Sequence, residues 1–135
     1  GILVAAEQTT NNAPSAGQFR LQGVALGLAP DTSRLRHFDN ALLTINSSTT
    51  ATFSPVALTS SHSVSNETVT APELQEDPDV GLSYTRTGDG RVRFSAGNLV
   101  LEGFHTGSQD QFYLRFRATE GNEEQAGLVI ATRLP

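Results

Sequence analysis

Ser60-Ser61-His62-Ser63 sets hydroxyls beside an imidazole, the residue types of nucleophilic catalysis. In an extended chain adjacent side chains point to opposite faces, and a catalytic triad is defined by geometry rather than by sequence proximity. No G-x-S-x-G elbow accompanies the run, so it reads as a hydroxyl-rich outer strand. His37 and Asp39, two residues apart, would share one face of an extended segment, with His62 or His105 as distant partners for a metal. Histidines scattered in this way are expected on a polar surface. Glu73, Glu76, Asp77 and Asp79 offer hard oxygen ligands for calcium but lack the alternating spacing of an EF-hand, and the stretch reads as a solvated acidic loop. The expectation is therefore no catalytic residues, no metal, no cofactor and no enzyme activity.

A binding surface is easier to read. Arg91 and Arg93 alternate with Val92 and Phe94, and Tyr113, Arg115 and Arg117 alternate with Phe112, Leu114 and Phe116. If the two strands neighbour each other, four arginines and a tyrosine gather on one outer sheet face, with Glu102 as an ion partner. That patch suits carboxylates, acidic glycans or the acidic loop of a second copy. Asn46-Ser47-Ser48 and Asn66-Glu67-Thr68 are N-glycosylation acceptor sequences, which would make Asn46 and Asn66 the modified residues of an exported protein.

The elements that must position these groups are strands. Helical periodicity is nowhere sustained, whereas Gln111 to Ala118 alternates apolar and polar with a period of two, a half-buried strand whose Phe112, Leu114 and Phe116 face a core. Gln18 to Leu28 is a strand that changes phase at Gly23, which predicts a β-bulge. Ser33 to His37 is expected as a short turn of helix and Ala41 to Ser47 as a strand. Thr50 to Leu58 is interrupted by Pro55, the mark of an edge strand or bulge. Ser60 to Thr70 reads as one weak outer strand. From Val80 on, alternating runs separated by Gly-rich turns predict an antiparallel meander to the C-terminus. About nine strands result. The fold class is all-β, a single-domain antiparallel β-sandwich, with a closed barrel as the alternative.

Composition bounds the rest. The 135 residues fit one domain, expected over 18–135, preceded by an N-terminal strand-like segment and polar tether over 1–17. There is no cysteine, which excludes disulfides, thiol catalysis and Cys-type zinc sites. A net charge of −5 argues against non-specific nucleic-acid binding. All nine basic residues are arginine, and methionine and tryptophan are absent. Without a leading Met, the terminus is expected to be processed or trimmed. Gly1 to Ala6 is apolar yet far shorter than the ~20 residues that span a bilayer, so no membrane span is expected.

Together these features predict an exported, extracellular or cell-surface structural subunit of a filament, pilus or coat. Its partners would be copies of itself: Ile2, Leu3, Val4 and Ala5 would add a strand to a neighbouring subunit. The alternatives are a β-sandwich module recognising carbohydrate or another ligand through Tyr84, Tyr113 and the arginine face, or a phage or viral capsid or decoration protein.

Overall fold

A computed structural model describes residues 16–106 and 110–135. They form ten strands, all antiparallel: β1 (Gly17–Leu28), β2 (Thr32–Ile45), β3 (Thr50–Ser54), β4 (Val56–Ser63), β5 (Thr68–Glu76), β6 (Val80–Arg86), β7 (Arg91–Ala96), β8 (Leu99–Thr106), β9 (Gln111–Glu120) and β10 (Glu123–Arg133). The all-β antiparallel class stands, and of the two architectures the molecule takes the closed barrel. Eight strands run in the order β1-β10-β9-β8-β7-β6-β3-β2, and pairing of β2 with β1 closes the ring. β6 to β10 are the C-terminal meander.

Alternation explains the core. Phe19 and Leu21 of β1, Phe38, Ala41 and Leu43 of β2, Phe94 of β7, Leu101 of β8 and Phe112, Leu114 and Phe116 of β9 all point inward and are buried. The rings pack as a chain: Phe19 edge-on to Phe112 at 4.8 Å, Phe112 edge-on to Phe94 at 5.5 Å, and Phe94 stacked on Tyr84 at 4.7 Å. Each buried phenylalanine contributes roughly 1.5–3 kcal/mol before chain entropy is subtracted. A bulge between Leu21 and Gly23 shifts the register of β1 against β2, as the phase change at Gly23 predicts. A Cβ on Gly23 would sit 2.1 Å from the Leu128 carbonyl oxygen, so only glycine lets β1 and β10 approach there.

Three local expectations are corrected. Ser33 to His37 is not helical: it lies within the 14-residue β2, held on both sides by β1 and β4. Ser60 to Thr70 is a hairpin turn with parts of β4 and β5 rather than one strand, and Glu73 to Glu76 belongs to β5 rather than to a loop. For Ser33 to His37 it is long-range pairing with β1 and β4 that supplies the backbone hydrogen bonds local composition did not foretell.

Pro55 separates β3 from β4 and lets the chain leave the barrel. β3 pairs with β2 and β6, whereas β4 continues alongside the N-terminal half of β2 and carries β5 as an extra hairpin strand. In this extension the polarity is inverted. Arg34 and Arg36 occupy the inward parity of β2, and Leu35 points out; Ala25 and Gly27 point inward on β1, and Leu26 and Leu28 point out. Among the described residues the seven exposed large hydrophobics, Leu26, Leu28, Leu35, Leu58, Val64, Val69 and Leu74, all lie on this part of the molecule.

Candidate functional site

Two regions merit attention, the inside of the barrel mouth and the outside of the β4–β5 extension. The mouth is built by the C-terminal end of β1, the N-terminal half of β2, the end of β9 and the start of β10. Arg34 donates from Nε and Nη2 to the two carboxylate oxygens of Glu123, at 2.7 and 2.5 Å, and lies 3.7 Å from Glu120. Gly27 leaves room for this pair, since a Cβ there would meet the Glu123 carboxylate at 2.8 Å. The bidentate hydrogen bond from Arg34 holds the Glu123 carboxyl below its ordinary range, against the opposing effect of burial.

Arg36 donates to Gln125 Oε1 and to Asp77 Oδ2, both at 3.1 Å, and its guanidinium lies 5.3 Å from the Phe38 ring centre. Its Nε and the hydroxyl of Thr59, its cross-strand neighbour on β4, are buried without a hydrogen-bond partner among the described residues. Below these groups the mouth opens on a cavity of 510 Å³ with Phe53, Pro55, Leu99 and Phe116 among its lining residues and Asp77, Asp79 and Glu120 among its acidic ones. Sequence reading missed Arg34, Arg36, Glu123 and Gln125. The usable signal was the alternation over Arg34-Leu35-Arg36, a period of two with charged groups on what becomes the inner face, whereas Glu123-Glu124-Gln125 is polar throughout and carries no such period.

The opposite end of the barrel is closed by a polar cluster. His105 Nε2 lies 2.9 Å from Asp110, which also accepts from Arg133, and the Arg133 guanidinium lies 4.6 Å from the Phe19 ring centre. Burial pushes the Asp110 carboxyl up, but hydrogen bonds from Arg133 and His105 outweigh it and leave it below the ordinary range. His105 is thus buried away from His37 and Asp39. His37 lies exposed on β2, and Asp39 accepts from Gln22. Among the described residues no group of three or more His, Cys, Asp or Glu comes together as a metal site. His62 is exposed, and the neighbouring Ser63 donates to Asp31.

Arg91, Arg93, Tyr113, Arg115 and Arg117 share one outer face, although β7 and β9 do not neighbour each other and β8 lies between them. Arg93 pairs with Glu102 across strands, and Arg115 and Arg117 donate to Glu102 at 2.6 and 3.1 Å. The hydrogen bond from Arg115 lowers the Glu102 carboxyl, with Arg117, Arg115 and Arg93 adding to the effect. Arg91 pairs with Asp89 at 3.3 Å, and Tyr113 stacks on Phe104 with ring centres 5.6 Å apart. Tyr84 does not belong to this face. It is buried inside the barrel, where burial raises its hydroxyl and Arg86 partly opposes the shift, so it offers no platform for carbohydrate. Asn46 and Asn66 both stand on exposed turns.

The outside of the extension is the least satisfied surface. Leu26 pairs with Leu35 and Leu58 with Leu74 in register, and a diagonal step from Leu35 to Leu58 joins the two pairs into one stripe. β5 is exposed along its whole length, with Val69 at 75% and Leu74 at 62%, and among the described residues it is paired on one side only. The segment Ile2 to Ala5 lies outside the described residues. No helix among them is long and apolar enough to cross a membrane. Comparison with protein-family models, curated proteins and solved structures found no match.

Proposed function

We propose that this protein is a structural subunit that assembles head to tail into an exported surface filament, pilus or coat and has no enzymatic activity. The observation that carries the reading is the inverted polarity of the extension, which puts leucines on an outer face beside β5, a strand paired on one side only among the described residues. A contiguous apolar stripe beside an open strand edge is costly in a monomer and is what strand addition uses.

The occupant is the segment Ile2-Leu3-Val4-Ala5 of a neighbouring copy. Ile2 and Val4 share one parity and would extend the Leu58–Leu74 stripe by one strand, while main-chain groups pair with β5. Pro72 and Glu73 on the edge restrict indiscriminate pairing, a familiar protection of open strands.

Deleting Gly1 to Gln8 tests the reading. The truncated barrel is expected to melt as the full chain does and to remain monomeric by sedimentation and electron microscopy. Unchanged polymers after deletion would refute strand donation.

A further inference from the structure

The geometry points to the mouth cavity as a binding site for a small apolar amine, a function distinct from assembly. Its volume of 510 Å³ lies within the ~300–1,000 Å³ of small-molecule sites. Phe53, Pro55, Leu99 and Phe116 offer an apolar body a place to pack.

Charge selects the ligand. Two guanidiniums, Arg34 and Arg36, face four carboxylates, those of Asp77, Asp79, Glu120 and Glu123, so the mouth carries a net charge of −2. Glu123 takes up Arg34 through both oxygens, and Asp77 takes up Arg36. Glu120 is left at 3.7 Å from an arginine already engaged, and Asp79 makes no ion pair among the described residues. An ammonium group at the rim meets these two carboxylates, whereas a ligand carboxylate is repelled by them. Arg36, engaged by Gln125 and Asp77, stands in the cavity wall with its side chain nine-tenths buried.

The test uses two probes with the same ring and opposite charge, 1-naphthylmethylamine and 1-naphthaleneacetate, titrated calorimetrically into the full chain. The amine is expected to bind one per chain and at least ~tenfold tighter than the acid. Ala118→Trp, which fills the cavity, should abolish binding. The double variant Asp79→Asn with Glu120→Gln should bring the two probes within ~threefold of each other. Leu58→Asp with Leu74→Asp should leave amine binding unchanged, which separates the cavity from the outer leucines. Equal binding of amine and acid by the wild type, amine binding that survives in a folded Ala118→Trp variant, or no saturable amine binding at all would overturn the assignment. Assembly is measured independently, so a chain that polymerises and ignores the amine refutes this proposal alone.

Discussion

Glu123 grips Arg34 with both carboxylate oxygens at the mouth of the barrel, and this pair governs how the protein responds to acid. Because the folded-state carboxyl is held below its unfolded value by Arg34, its contribution is fully present above the unfolded pKa of ~4.3 and is lost as pH falls through the folded value. Glu102 and Asp110 shift in the same direction. The melting temperature is therefore expected to hold above pH ~5 and to fall below ~4.3, and Glu123→Gln should flatten the acid limb relative to wild type. An unchanged acid limb would show that the pair is not coupled to folding. At neutral pH Glu123→Ala should cost on the order of 2 kcal/mol, because it leaves the charged Arg34 without its main acceptor. The residues of this pair were hidden in the sequence for a physical reason. Their partnership spans 89 positions, and inward-facing charges contradict the rule that the inner parity of a strand is apolar.

At the scale of elements, β9 was the most legible. Its alternation assigned Phe112, Leu114 and Phe116 to the core, and all three are buried. Phe116→Ala is expected to destabilise by ~3–5 kcal/mol in a denaturant titration, since Phe116 packs against Phe38 at 5.5 Å and lies at the cavity wall. The phase change at Gly23 and the break at Pro55 were legible too, because each has a local backbone cause. β2 was not. Arg34, Leu35 and Arg36 become strand through pairing with β1 and β4, and no neighbouring residue announces it. Gly103 illustrates a constraint visible only in the assembled sheet: a Cβ there would lie 1.8 Å from the Tyr113 carbonyl oxygen. Gly103→Ala should therefore force β8 and β9 apart and cost ~1–3 kcal/mol, and a wild-type melting curve would contradict that.

At the scale of the molecule, the two ends of the barrel differ. The chain preceding β1 enters beside the His105, Asp110 and Arg133 cluster, and the open β5 edge stands by the mouth. In the proposed assembly, a donor at one end and an acceptor at the other would make a head-to-tail contact, which builds a fibre where the rotation between copies does not close into a ring. The arginine face on β7, β8 and β9 lies across the barrel from β2, away from the extension, since β8 and β2 are four strands apart in either direction around the ring. Leu58→Asp with Leu74→Asp changes only exposed positions, so folding stability should stay within ~0.5 kcal/mol while assembly is lost.

The most direct measurement of the central claim is the sedimentation profile of the full chain beside the chain lacking Gly1 to Gln8, at matched concentration. Head-to-tail strand donation predicts a broad distribution of large species for the full chain and a single folded monomer for the truncated one. A full chain that sediments as a monomer, or a truncated chain that polymerises equally well, would contradict it.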